Sequence, residues 1–110
     1  MTIANQLTFS AKLDQERLLK ATLNDLVENA LLEKGCQKFE LYQLYETPQQ
    51  FFIVEIWKSD KSYQNHLKNK QYQTLVQEMQ KHLHKEEKFD LKLTQCLTKL
   101  GLKSKKEEKK

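Results

Sequence analysis

Residues 51–57 read Phe-Phe-Ile-Val-Glu-Ile-Trp, and as an extended chain they are apolar on both sides. Side chains alternate along a strand, so Phe52, Val54 and Ile56 share one face while Phe51, Ile53, Glu55 and Trp57 share the other. A strand apolar on both faces must be covered on both. A chain of 110 residues makes one domain with a modest core, enough helix for one side of a sheet only. A second copy of the sheet is the natural cover for the other side, so the segment predicts a homodimer. Glu55 interrupts the apolar run. An unpaired buried charge is costly, so Glu55 must find a partner, lie at an interface or line a cavity. The pattern leaves open which face it belongs to.

The segments around this strand alternate in type. Ile3, Leu7, Phe9 and Ala11 recur with period two over residues 3–11, which predicts a half-buried strand with Asn5 on its apolar face. Asp14 is placed to cap a helix whose stripe is Leu19, Leu23, Leu26, Val27 and Ala30. Gly35 follows as a left-handed stop. Residues 36–46 form a second strand, with Phe39, Leu41 and Tyr45 on one face. The short connection 47–50 makes it antiparallel to 51–57. Ser59 caps a helix over 60–69 carrying Tyr63, His66 and Leu67. After a break near Asn69, residues 70–83 continue helical with Tyr72, Leu75, Val76, Met79 and Leu83 as the stripe. Alternation resumes at Phe89 and predicts a fourth strand ending near residue 98. The order strand, helix, strand, strand, helix, strand is an α+β class pattern, the ferredoxin-like sandwich (βαββαβ) with an antiparallel sheet and its helices on one face. Residues 1–100 form the domain and 101–110 a charged tail.

The charge balance points away from nucleic acid. The net charge is +4, but residues 103–110 alone hold five lysines against two glutamates, leaving the folded part nearly neutral. No apolar run approaches the ~20 residues of a membrane span, and the first ten residues do not read as a signal peptide. Cys36 and Cys96 form no framework or metal motif, which fits reduced thiols and a cytoplasmic location. With two glycines in the whole chain there is no phosphate-cradling loop, and His82 and His84 lack ligand partners for a metal. No cofactor is expected. The residues able to carry chemistry are Asn5 and Glu55, polar on apolar faces, and His66, whose ring is suited to proton transfer. Trp57 reads equally as a core anchor.

Taken together, Gly35-Cys36, Glu55-Ile56-Trp57, His66 and Tyr72 resemble, in order and spacing, the antibiotic biosynthesis monooxygenase family. The resemblance covers residues 3–97 and implies a dimeric α-β barrel built from ferredoxin-like subunits. It also implies a pocket between helices and sheet for a small aromatic or quinol-like ligand, oxidised by dioxygen without metal or flavin. On that resemblance His66 is the base or anion partner, Asn5 hydrogen-bonds a substrate oxygen or dioxygen, and Trp57 is catalytic. Glu55, Tyr63 and Tyr72 contact substrate, with Trp57 and Tyr72 stacking on a flat ring.

Three alternatives accompany this reading. One is a non-catalytic dimeric module that binds a small ligand. The second is an isomerase of a small phosphorylated ketone, for which Lys58, Lys61 or Lys68 could meet the phosphate. The third is haem degradation, which the resemblance supports only at Asn5. Its functional Trp falls at His66 and its axial His at Val76.

Overall fold

The computed structural model describes residues 2–84. They form, in order, β1 (Ile3–Ser10), α1 (Glu16–Leu31), β2 (Cys36–Gln43), β3 (Gln50–Trp57), α2 (Asp60–Lys68) and α3 (Lys70–Gln80). The sheet is antiparallel with strand order β1-β3-β2, which puts the two-faced segment at its centre. This is the ferredoxin-like arrangement expected from the sequence. The expected fourth strand and the boundary at residue 100 lie outside the described residues.

Burial along β3 alternates strictly, with Phe51, Ile53, Glu55 and Trp57 buried and Phe52, Val54 and Ile56 half-buried. The helices therefore cover the face that carries Glu55, which settles the side left open by pattern alone. On that side Ile3, Leu7 and Phe9 of β1 and Phe51 and Ile53 of β3 join Leu19, Leu23, Leu26 and Ala30 of α1 and Met79 of α3 in one core. Each of the larger side chains contributes on the order of 1.5–3 kcal/mol by leaving water. On the opposite side Tyr42 stacks on Phe52, with ring centroids 4.9 Å apart.

Register decides what meets Glu55. Asn5 of β1 pairs directly with Glu55, and so does Phe39 of β2. A bulge between Cys36 and Lys38 makes the second pairing possible. The extra residue shifts the phase of β2, and a side-chain period of two would otherwise turn Phe39 to the opposite face.

Four local expectations are corrected. Asp14 does not cap α1: its φ is 65°, in a left-handed turn that Asp tolerates, and Gln15 takes the cap position without a side-chain hydrogen bond. β2 ends at Gln43, three residues short of the expected end. Gln43 Nε2 donates to the Pro48 carbonyl (2.6 Å) and Leu44 N to the Gln50 carbonyl (2.9 Å), so the chain turns and Tyr45 is 96% exposed. β1 ends at Ser10 and α3 at Gln80, because the backbone beyond each pairs with the other. Ala11 bridges Leu83, Lys12 N donates to His82 O and His84 N to Ser10 O, both at 2.8 Å.

The capping of α2 follows expectation, with Ser59 Oγ accepting from Ser62 N at 3.1 Å. The break also falls at Asn69. Its backbone is extended (φ −65°, ψ 125°), and its side chain accepts from Tyr72 N at 3.1 Å to start α3. Gly35 has φ 90°, and its carbonyl accepts from Lys58 N at 2.7 Å, tying the α1–β2 turn to the start of α2.

Candidate functional site

The six residues expected at the oxygenase site converge on one buried cluster between sheet and helices, while Lys58 and Lys61 lie exposed at a separate surface depression. β1 supplies Asn5, β3 Glu55 and Trp57, α2 Tyr63 and His66, and α3 Tyr72, all at least nine-tenths buried. Tyr63 and His66 lie one turn apart on α2, which puts both on its inner face.

Glu55 is the hub. Its Oε1 accepts the Trp57 indole N–H at 2.6 Å, and its Oε2 accepts Asn5 Nδ2 at 3.2 Å. These two bonds favour the carboxylate, but complete burial outweighs them, and the charge of Glu33 adds to the effect. The Glu55 pKa is pushed up to about 7. Glu55 can thus carry a proton near neutral pH.

His66 faces this carboxyl, with Nε2 4.0 Å from Glu55 Oε1. Its ring is caged by Tyr72 (centroids 4.0 Å), Trp57 (4.4 Å), Phe39 (5.8 Å) and Tyr63 (6.4 Å). Burial lowers its pKa, opposed by the Glu33 carboxylate, whose Oε2 lies 2.8 Å from His66 Nδ1. Burial thus favours the neutral ring. Glu33 as a carboxylate can only accept, so Nδ1 donates to it and the Nε2 lone pair points into the buried interior. There Nε2 has no hydrogen-bond partner, and neither has Asn5 Oδ1.

The phenols are held in the neutral form. Burial, with Glu55 nearby, pushes the Tyr63 hydroxyl up to about 12 and raises that of Tyr72 further. Cys36 is raised to about 11 by burial and by Glu55 and Glu33, so its thiol is a poor nucleophile. No group of three or more potential metal ligands occurs among the described residues.

Two features differ from the sequence reading. Trp57 and Tyr72 pack on His66 itself, their rings tilted by 31° and 45° to it, so a flat ring could enter between them only by displacing one. Glu33 and Phe39 were not singled out, although each touches the histidine. In the sequence Phe39 reads only as an apolar strand residue, and Glu33 only as a charged residue shortly before Gly35. No local pattern links Glu33 to a residue 33 positions away.

Residues 2–78 match the antibiotic biosynthesis monooxygenase family, and the chain belongs to that family. Among solved structures, a conserved protein from Methanosarcina mazei aligns with a TM-score of 0.77 and 19% identity, over 86% of this chain and 91% of its own. A Nitrosomonas europaea protein carrying the antibiotic biosynthesis monooxygenase name aligns at 0.76 and 19%, over 84% and 88%. A Mycobacterium tuberculosis protein aligns at 0.76 and 17%, over 86% and 93%. At these identities the structures share the fold. No curated protein matches the chain.

Proposed function

We propose that the protein is a monooxygenase that oxidises a small aromatic or quinol-like substrate with dioxygen, using His66 as the base. The observation that carries this reading is the bare Nε2 of a buried, neutral imidazole. It is held from behind by Glu33 and faces a carboxyl able to accept or release a proton at neutral pH. His66 removes a phenolic proton, and the resulting anion reduces dioxygen. One oxygen atom enters the ring and the other leaves as water. All four electrons come from the hydroquinone, which ends as a hydroxyquinone, so no separate reductant is consumed. Asn5 and Tyr63 hold the substrate oxygen. Trp57 and Tyr72, now packed on His66, would open to admit the ring and then stack on it.

The active unit in this proposal is a homodimer in the cytoplasm. Support for the dimer comes from the half-buried Phe52, Val54 and Ile56 on the side of the sheet away from the helices. Among the described residues, no helix is long and apolar enough to cross a membrane.

One observation favours a second reading. The aromatic rings close directly on His66, as they would in a ligand-binding or purely structural module. Oxygen uptake with a panel of hydroquinones, for wild type and His66→Ala, separates the two. Turnover lost in His66→Ala is the expected result. Turnover unaffected by the substitution removes His66 from the mechanism, and no uptake with any hydroquinone favours the module.

A further inference from the structure

Glu33 is placed with more care than a helix-end glutamate needs. It lies in the turn after α1, where its N–H donates to Ala30 O (3.0 Å) and its carbonyl accepts from Cys36 N (3.2 Å). Both sides of its backbone are thus fixed. One face of its carboxylate meets His66 Nδ1 at 2.8 Å, and the side chain keeps 15% of its surface exposed. On that exposed side it lines a surface depression of ≈ 440 Å³ with Asn29, Lys34, Asn65 and Asn69. His66, by contrast, is 1% exposed. Glu33 therefore touches both the buried ring and the surface.

We propose that Glu33 is the positioning residue and proton outlet of His66: it holds the hydrogen on Nδ1, leaves Nε2 bare toward Glu55, and passes the proton to water in the depression. When Nε2 takes a proton from inside, the imidazolium carries hydrogen on both nitrogens. Nδ1 then gives its proton to Glu33, which releases it outside. The ring returns to its starting tautomer when Nε2 gives its hydrogen back to the interior, to the Glu55 carboxylate or to reduced oxygen, and Glu33 returns a proton from outside to Nδ1. The groups facing this path are Glu33 from the α1–β2 turn, Cys36 from β2, Glu55 from β3, Tyr63 from α2 and Tyr72 from α3. The two tyrosines and the cysteine are pushed upward and stay neutral, so protons travel between Glu33, His66 and Glu55. The use of this outlet in turnover rests on the oxygenase reading. The tautomer and the outlet do not.

Nitrogen-15 NMR of histidine-labelled protein tests the idea without turnover. The wild type should show Nδ1 protonated and Nε2 bare. Glu33→Ala should shift the ring toward the Nε2–H tautomer. Glu33→Gln should keep the wild-type tautomer, because its amide oxygen still accepts, while exchange of the Nδ1 proton with water slows by about tenfold or more. A wild-type ring with hydrogen on Nε2, or an unchanged tautomer in Glu33→Ala, would overturn the positioning role. Unchanged exchange in Glu33→Gln would overturn the outlet. If these results hold and no hydroquinone is oxidised, the oxygenase reading falls and the relay stands.

Discussion

Trp57 donates its indole hydrogen to Glu55, two residues back on the same face of β3, across 2.6 Å. The bond answers the question raised by a carboxylate inside an apolar strand. Glu55 is tolerated because Trp57 and Asn5 both donate to it, while burial holds its pKa near 7 against those two bonds.

Replacing Trp57 with Phe keeps most of the ring and removes this donor. A hydrogen bond to a charged group is worth about 1.5–3 kcal/mol, so Trp57→Phe should destabilise by roughly that amount. It should also raise the Glu55 pKa further. Chemical denaturation followed by circular dichroism measures the first effect. A stability within error of wild type would mean that Glu55 draws little from the indole.

The pH dependence of stability has a defined sign. Glu55 is raised from 4.5 to about 7, so its contribution is full below the ordinary carboxylate pKa and lost as pH rises through about 7. His66 is lowered from 6.5, so its contribution is present above that value and lost as pH falls through its depressed pKa. The two oppose each other, and Glu55→Gln isolates the first. The amide nitrogen of Gln can donate to Asn5 Oδ1 if the Asn5 amide turns over, since that oxygen has no partner. The variant should be less stable than wild type near pH 5. By pH 8 the gap should close by up to about 3 kcal/mol. Melting curves across that range check it, and a constant gap would mean that Glu55 titrates normally.

Gly35 cannot be replaced cheaply. Its φ of 90° disfavours any side chain, and an added Cβ would lie 2.5 Å from Ser62 Cβ. Gly35→Ala should cost at least about 1–3 kcal/mol from the backbone alone. In a Ser62→Gly background the clash disappears and the strain remains, so the Ala substitution should cost less there. Equal costs in both backgrounds would show that the close approach is unimportant.

Assembly can be tested at the outer face of β3. Light scattering should give about twice the 13.2 kDa chain mass. Val54→Lys places a charge among Phe52, Ile56 and their counterparts, and should give the mass of a single chain. A monomeric wild type would refute the dimer.

The sequence made the strand and helix order legible because burial imposes period two on β3 and near-3.6 spacing on α1. It also made Asn5, Glu55 and His66 stand out, since polar groups on apolar faces are conspicuous. The side on which Glu55 lies was not legible, because both faces of residues 51–57 are apolar and alternation has no direction. Phe39 required a bulge that period counting does not reveal. Glu33 reads as an ordinary solvent-facing end of a helix until the turn at Gly35 brings it to α2.

Asn69 closes α2 and opens α3 at a single residue. In one unbroken helix, Tyr72 would follow His66 by about 600°, roughly a third of a turn out of alignment, and some 9 Å along the axis. Instead their rings are 4.0 Å apart. The corner resets the rotational phase of the chain, so one interrupted helical stretch presents Tyr63, His66 and Tyr72 to the same point. Fusing α2 and α3 into a continuous rod would dismantle the cage around the histidine without changing any of the residues that form it.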